Sequence, residues 1–183
     1  MTAPRELRTT RLLLRSFQQA DIPTLTRLAG AREIAASTLN IPHPYAEADA
    51  RSFIAEMENS CRGGYCSVFA ITIATSRDLC GAVGLTISPA HQHAELGYWI
   101  GVPYWGQGFA TEAARAVVAF GFETLRLHRI YAYHFAGNVS SRRVLEKLGM
   151  LHEGHSREHI RKWSDFVDLE MYGLLARDVR AGK

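Results

Sequence analysis

The stretch that decides the fold is Glu95-Leu-Gly-Tyr-Trp-Ile-Gly-Val-Pro-Tyr-Trp-Gly-Gln-Gly-Phe-Ala-Thr-Glu-Ala113. Residues 95–101, which include Tyr, Trp and Ile, predict a strand. The chain then passes through a glycine-containing loop at residues 105–110 into an alanine-rich helix predicted over residues 111–125. Free backbone N–H groups and the positive end of the dipole at the start of a helix favour an anion. The loop is therefore predicted to bind a phosphate.

Two other phosphate-binding motifs are excluded by residue spacing. A P-loop requires Gly-Lys followed by Ser or Thr, which this loop lacks. The dinucleotide fingerprint requires a third glycine where this chain has Thr111, and an acidic residue after a second parallel strand, which is also missing. Taken alone, Gly106 and Gly108 could instead serve only a tight turn and close packing, with no ligand bound. That interpretation stays open.

A second helix start follows a strand predicted at residues 129–135. The segment reads Gly137-Asn-Val-Ser-Ser-Arg-Arg-Val-Leu-Glu-Lys-Leu-Gly-Met150 and predicts a helix over residues 140–148, with Asn138 or Ser140 as N-cap. Helix capping alone explains these polar residues. Two helix N-termini at the carboxyl ends of neighbouring strands, however, favour a ligand site between them.

The remaining pattern predicts a mixed sheet flanked by helices. A rigid loop over residues 40–45 contains two prolines, which exclude a helix there. Three strands at short spacing indicate an antiparallel meander, after which strands and helices alternate. The predicted strands are 7–17, 65–74, 79–88, 95–101, 129–135, 150–158 and 166–176, and the predicted helices are 21–30, 46–61, 111–125 and 140–148.

Composition and charge exclude several classes of protein. The chain has 183 residues, of which 47% are hydrophobic and 21% charged, so we expect one globular domain over residues 1–183. The net charge of +3 is too small to indicate a nucleic-acid partner. No apolar stretch approaches the roughly 18 residues that span a membrane, so no membrane partner is expected. Three cysteines without CxxC spacing, and no charged-then-apolar leader, predict a cytoplasmic location.

Arginine and histidine residues form two further patterns. Residues 124–145 contain no acidic side chain but four arginines, which suit a phosphate-bearing ligand or a solvated surface. A nucleic-acid-binding function would rest on this stretch alone. Eight histidines, among them His152, His155 and His159, complete no zinc-binding spacing, so no metal is expected.

The order of these motifs resembles the GNAT N-acetyltransferase superfamily, in particular its RimJ/RimL-like branch. The similarity includes Thr10-Arg-Leu-Leu-Leu-Arg15, the loop Pro42-His-Pro-Tyr45 and the tail at residues 163–174, so it covers nearly the entire chain. It implies a mixed α/β (α+β) fold with a central, mostly antiparallel twisted sheet of six to seven strands. That sheet is splayed at the cofactor site and flanked by about four helices. The resemblance also implies acetyl-CoA as co-substrate, and no metal.

The family motif Gln/Arg-x-x-Gly-x-Gly/Ala falls on Trp105, Gly108 and Ala110. Trp105 departs from the motif, which is tolerable because the family holds the pyrophosphate chiefly with main-chain amides. By resemblance, residues 98–101 pair with the pantetheine arm as an added strand, and Asn138 binds that arm. Arg142 or Arg143 reaches the 3′-phosphate or stays at the surface. The implied cofactor-binding residues are Tyr98, Trp99, Ile100, Gly101, Trp105, Gly106, Gln107, Gly108, Phe109, Ala110, Thr111, Asn138, Ser141 and Arg143.

Glu95 and Ser141 are the candidate catalytic residues. Glu95 is the candidate general base, since the acceptor amine must lose a proton; a ligand of the substrate amine or a structural carboxylate is the alternative. Ser141 is placed by the resemblance near the thioester sulfur, as a donor to the departing thiolate. Many family members carry a tyrosine four residues later, where this chain has Leu145. A thiol leaves with a pKa of roughly 8.5, so strong acid assistance is not required.

The predicted function is acetyl transfer from acetyl-CoA to a primary amine, directly in a ternary complex. The resemblance favours a protein N-terminal α-amine, as in ribosomal-protein acetylation, or a small amine. The acceptor is expected to contact Tyr45, His155 and Trp163. A catalytically silent CoA-binding regulatory module is the alternative. The oligomeric state stays open, with a homodimer as one candidate.

Overall fold

Eight strands within residues 6–181, the part of the chain that the computed structural model describes, form one sheet. The order across the sheet is β1-β2-β3-β4-β5-β6-β8-β7, and neighbouring strands are antiparallel except for the parallel pair β5 and β6. The strands are β1 (Glu6–Arg8), β2 (Leu12–Arg15), β3 (Cys66–Ile73), β4 (Leu79–Ser88), β5 (His93–Ile100), β6 (Arg129–Phe135), β7 (Leu151–Lys162) and β8 (Asp165–Leu175). The α-helices of these residues are α1 (Ile22–Ala29), α2 (Arg32–Ser37), α3 (Glu47–Arg62), α4 (Phe109–Glu123), α5 (Val139–Lys147) and α6 (Ala176–Ala181).

The architecture confirms the predicted mixed α/β fold, with more elements than expected. The strand predicted at residues 7–17 is two strands, because Thr9 turns the chain. Its N–H donates to the Leu12 carbonyl at 3.0 Å, and its Oγ1 accepts from the Leu12 N–H at 2.9 Å. The described residues therefore contain eight strands instead of six to seven. Two helices of six residues each, α2 and α6, are too short to show a helical period in the sequence and raise the α-helix count from four to six.

The parallel strands β5 and β6 separate along their length. They pair only where residues 93–95 lie beside residues 129–131. Beyond that point β5 stays paired with β4 as far as Ile100, and β6 stays paired with β8 as far as Phe135. The result is an opening in the sheet, the β5–β6 gap, and it confirms the predicted splay.

The hydrogen-bond pattern of β5 determines which residues face the β5–β6 gap. The Gly101 N–H donates to the Cys80 carbonyl at 2.8 Å, and residues 93–100 pair with β4 in the same antiparallel register. In an antiparallel ladder, the backbone groups of every second residue bond to the same neighbouring strand. Because Gly101 bonds to β4, the other odd-numbered residues of β5 do so as well. Leu96, Tyr98 and Ile100 therefore direct their backbone N–H and C=O groups into the gap.

Helices pack on both faces of the sheet and so fix the elements around the gap. On one face, α4 and α5 cover a core in which Phe120 meets Phe69 edge to face, with ring centroids 6.1 Å apart. A Cβ on Gly121 would lie 2.8 Å from Ile130 Cδ1, so this glycine lets α4 approach β6 closely. On the other face, α1 and α3 bury a second core that includes Leu25 and Ile54.

Candidate active site

Two helices begin at the open end of the β5–β6 gap. Helix α4 follows the carboxyl end of β5, and α5 follows the carboxyl end of β6. Because the two strands are parallel, both helix N-termini lie at the same edge of the sheet. Asn138 is the N-cap of α5, since its Oδ1 accepts from the Ser141 N–H at 3.0 Å. This bond decides between Asn138 and Ser140, which the sequence alone does not.

The loop before α4 has the form of an anion cradle. Gly106 and Gly108 adopt φ angles of +75° and +79°, a left-handed conformation that disfavours other residues. A Cβ on Gly106 would meet nothing within 4 Å, so close packing within the protein is not the reason for that glycine. The first intrahelical bond of α4 runs from the Glu112 N–H to the Gly108 carbonyl, so the N–H groups of residues 109–111 have no partner within the helix. These donors suit the phosphates of a ligand.

Trp105 does not act as the polar side chain that the family motif has at this position. Its indole N–H donates to the Ile100 carbonyl, back toward the end of β5. The indole is about half exposed, at 49%. Phosphate binding in this loop therefore depends on backbone amides and on side chains from other elements.

Two hydroxyl groups meet at the gap. The Tyr98 hydroxyl lies 2.8 Å from Ser141 Oγ, so β5 and the first turn of α5 are joined across the opening. Burial raises the pKa of Tyr98 to about 12, although the hydrogen bond with Ser141 acts in the opposite direction. Tyr98 therefore keeps its proton at neutral pH. The sequence predicts only a backbone role for Tyr98. The alternation of side chains along β5, which turns Tyr98 toward the face of the sheet covered by α5, was the signal that could have identified its hydroxyl.

Glu95 lies where β5 and β6 begin to separate. It is the last residue of β5 that pairs with β6, opposite Tyr131, and its side chain lines the cavity described below. Burial raises the pKa of Glu95 above its ordinary value. Among residues 6–181 no lysine, arginine or histidine forms an ion pair with it. A half-buried, unpaired carboxylate of raised pKa is suited to accept a proton.

A cavity of about 710 Å³ extends from Glu95 to helix α3. Asp49, Ser52, Phe53 and Glu56, which recur at helical spacing, line it from one face of α3. Residues 37–42 and Tyr45 close it on another side, and Tyr98 and Ser141 also belong to its wall. Its acidic lining groups are the carboxylates of Asp49, Glu56 and Glu95; its basic lining group within residues 6–181 is the His134 imidazole, and no lysine or arginine of these residues lines it. This electrostatic environment favours a cationic ligand.

The three predicted acceptor contacts divide between the cavity and its surroundings. Tyr45 lines the cavity, and burial, with the charge of Asp49, raises its pKa to about 12. His155 and Trp163 are not among the described lining residues of this cavity, and their contact with the acceptor stays a prediction. His155 bonds to Glu170 and Asp168 on β8, at 2.8 and 3.1 Å. Trp163 lies in the turn between β7 and β8, where its ring packs 5.7 Å from the Arg32 guanidinium.

Two predicted backbone contacts with the cofactor change in the structure. The backbone N–H of Gly101 is bonded to β4, and Trp99 is an odd-numbered residue whose backbone faces β4 as well. Pairing with an added strand is therefore left to Tyr98 and Ile100. Arg143, the fifth residue of α5, is exposed and no described side chain pairs with it, so its contact with the 3′-phosphate stays a prediction. Within the predicted cationic stretch, Arg129 binds Glu153, so that stretch is partly neutralised.

Residues 11–151 match the family described as the acetyltransferase (GNAT) domain. This chain belongs to the GNAT acetyltransferase family. It is an acetyl-CoA-dependent N-acetyltransferase, as the resemblance implied. No helix of residues 6–181 is long and apolar enough to cross a membrane. In the same residues, no group of three or more His, Cys, Asp or Glu side chains has an arrangement that could hold a metal ion.

Relatives and solved structures agree with this assignment. The uncharacterised N-acetyltransferase p20 of Bacillus licheniformis is 30% identical over 174 residues, which are 94% of this chain and 97% of that protein. The crystal structure of a GNAT-family acetyltransferase from Bacillus anthracis superposes with a TM-score of 0.84 at 25% identity, covering 94% of this chain and 99% of that one. RimL, a ribosomal L7/L12 α-N-protein acetyltransferase in complex with coenzyme A, gives a TM-score of 0.85 at 19% identity, covering 94% and 97%. At that identity the likeness to RimL shows the fold alone.

Proposed function

We propose that this GNAT enzyme transfers the acetyl group of acetyl-CoA directly to a primary amine in a ternary complex. The acceptor is a protein N-terminal α-amine or a small amine. The observation that carries the proposal is the continuity of the site. A cavity lined by carboxylates meets the β5–β6 gap at Glu95, and two helix N-termini lie at the open end of that gap.

The residues around the gap fit acetyl-CoA. The N–H groups at the start of α4 and the cradle at Gly106 and Gly108 would bind its phosphates. The backbone N–H and C=O of Tyr98 and the backbone N–H of Ile100, whose carbonyl is bonded to Trp105, would pair with its pantetheine arm, as a neighbouring strand would. Asn138, which caps α5 beside the gap, would contact the same arm. Three independent elements thus supply the donors that one extended, phosphate-bearing molecule requires.

Glu95 accepts the proton of the acceptor amine. An α-amine with a pKa of about 7.7 to 8 is largely protonated at neutral pH and becomes nucleophilic only after losing a proton. Glu95 lines the cavity where the acceptor would lie, and burial raises its pKa toward the range useful to a general base. The Tyr98 backbone N–H, which faces the gap, is the nearest candidate donor to the carbonyl oxygen as negative charge develops there.

Tyr98 and Ser141 stabilise the thiolate that leaves. Their hydroxyl groups are hydrogen bonded to each other at the gap, and Tyr98 is protonated at neutral pH. This pair replaces the tyrosine that many family members have at the position of Leu145, whose side chain is completely buried in this structure. The two hydroxyls therefore supply the acid function that the motif lacks.

The acceptor cavity favours amines that carry positive charge and no nearby carboxylate. Three carboxylates line it and no lysine or arginine of the described residues does, and the rings of Tyr45, Phe53 and Trp99 provide faces for the apolar part of a cation. RimL, which shares this fold, is named for acetylation of a protein α-amine, and this supports a peptide N-terminus as one acceptor. A cytoplasmic location would provide both acetyl-CoA and such acceptors.

Release of CoA thiol across an acceptor panel tests the proposed function. The panel contains peptides with free N-termini of differing charge, the same peptides with blocked N-termini, and aliphatic mono- and diamines. We expect turnover of at least one free primary amine, with basic or neutral acceptors preferred over acidic ones because the cavity is lined by carboxylates. Tight acetyl-CoA binding without turnover of any acceptor would contradict the proposal and favour a silent regulatory module.

Removing the Tyr98 hydroxyl is expected to slow the chemical step. Tyr98→Phe keeps the buried ring but removes the bond to Ser141, so kcat should fall roughly tenfold, as for loss of one hydrogen bond to a developing charge. Because the two hydroxyls act together, the double variant with Ser141→Ala should be little worse than the slower single variant. Tyr65→Phe, at a tyrosine that is 62% exposed, is the matched control. Steady-state kcat values check both points; strictly additive losses would argue against a shared role.

A further inference from the structure

Arg11 lies on the turn between β1 and β2 and contacts the loop that precedes α4. Its Nη1 donates to the Gln107 carbonyl at 3.0 Å, and its guanidinium carbon lies 4.9 Å from the centre of the Phe109 ring. Its Nε donates to Glu112 Oε2 at 2.7 Å, and its backbone N–H donates to Oε1 of the same carboxylate at 2.8 Å. From the β1–β2 turn, nearly one hundred residues away in the sequence, one arginine thus contacts three residues of the loop and the first helical turn.

The bond to the Gln107 carbonyl sets the direction of a neighbouring amide. In a trans peptide the C=O of one residue and the N–H of the next point in opposite directions. Because Arg11 holds the Gln107 carbonyl, the Gly108 N–H points away from Arg11. An anion cradle needs N–H groups facing the ligand and carbonyls turned away from it. Arg11 therefore orients the loop for anion binding.

Arg11 also compensates a charge that opposes phosphate binding. Glu112 lies in the first turn of α4; burial would raise its pKa, but hydrogen bonds from Thr9 and Arg11 outweigh burial and lower it. Glu112 is therefore ionised at neutral pH beside the predicted phosphate site. Its partner Arg11 supplies the cancelling positive charge, with a side chain that is 48% exposed. Trp105, at the motif position where the family has Gln or Arg, provides no such charge.

We propose that Arg11 is a positioning residue for the phosphates of acetyl-CoA: it orients the Gln107–Gly108 peptide and neutralises Glu112 at the start of α4. The inference rests on the proposed binding of acetyl-CoA phosphates at this helix. It assigns the positive charge of the cradle to the β1–β2 turn, outside the glycine-containing motif. The arginine in the segment Thr10-Arg-Leu-Leu-Leu-Arg15 thereby acquires a role in cofactor recognition.

The test compares two acyl donors in the full-length enzyme. Arg11→Ala should raise the KM for acetyl-CoA roughly tenfold or more, because charge-assisted contacts are lost, while kcat changes little. S-acetylpantetheine has the thioester and arm but no phosphate, so with this donor Arg11→Ala should lower kcat/KM by no more than about twofold. Adding Glu112→Gln to Arg11→Ala should restore much of the acetyl-CoA affinity, since the uncompensated carboxylate is removed.

Equal losses of kcat/KM with both donors would mean that Arg11 only supports the fold, and would overturn the proposal. A double variant no better than Arg11→Ala would overturn the charge-compensation part. If Arg11→Ala does not fold, Arg11→Lys replaces it in the test, because lysine keeps the positive charge. Its KM for acetyl-CoA should exceed the wild-type value, but by less than tenfold. Arg8→Ala, at an exposed arginine whose described ion pair is only with Glu6, is the matched control. A wild-type enzyme without acetyl-CoA binding would instead refute the proposed function, so the two failures are distinguishable.

Discussion

Gly108→Val is expected to abolish detectable acetyl-CoA binding without unfolding the protein. Gly108 is the N-cap of α4 at φ +79°, a conformation that a β-branched residue adopts only with strain. A Cβ on Gly108 would also lie 3.5 Å from Arg11 Nη2, so the methyl groups of valine would crowd the guanidinium that holds this loop. Strain and lost space together should weaken binding by roughly 100-fold or more. Isothermal titration with acetyl-CoA measures the change.

The chain offers a control that separates general backbone strain from a local effect on the phosphate loop. Gly64 has the same φ of +79°, and a Cβ added there would meet no atom within 4 Å. It lies in the turn after α3, away from the gap. Gly64→Val should therefore show a comparable loss of thermal stability and unchanged acetyl-CoA affinity. If Gly108→Val binds acetyl-CoA as tightly as Gly64→Val does, the loop is not the phosphate cradle.

Local sequence signals were sufficient to predict much of the fold and the framework of the site. Gly106, Gly108 and Asn138 each mark a backbone conformation or helix cap that depends on a few neighbouring residues, and the structure has all three features. The break between the short strands β1 and β2, predicted as one strand, and the six-residue helix α2 were missed because a few residues contain too little periodicity.

Contacts between distant segments could not be predicted in the same way. Tyr98 meets Ser141 only because β5 and β6 are adjacent and separate above Glu95, and Arg11 reaches Glu112 only because β2 lies under α4. His155 was placed at the acceptor site from the expected course of the last hairpin. The structure shows that its side chain bonds across that hairpin to Glu170, a contact decided by strand register rather than by local sequence.

Glu95→Gln is expected to lower kcat by about 100- to 10,000-fold, the usual contribution of a general base. The amide has nearly the same size as the carboxylate but accepts no proton at neutral pH, so the affinity for acetyl-CoA should stay within about twofold. In the wild type, burial raises the Glu95 pKa, so the acid limb of the kcat profile should lie above the ordinary range of a glutamate. The pH profile of the residual kcat of Glu95→Gln should lack that acid limb. Identical pH profiles for the two proteins would contradict the assignment.

Stability distinguishes a catalytic base from a structural carboxylate at the same position. A folded-state pKa raised above the unfolded value means that the folded protein favours the protonated form. Protonation of Glu95 therefore stabilises the fold below the unfolded pKa, and this contribution is lost as pH rises through the folded pKa. At neutral pH the ionised side chain destabilises the fold, so Glu95→Gln should melt at the same or a higher temperature than wild type. Glu58→Gln, at an exposed residue of α3 outside the cavity wall, is the control. A lower melting temperature for Glu95→Gln, with that of Glu58→Gln unchanged, would indicate a structural role. Removing the charge lowers stability only where the ionised carboxylate stabilises the fold.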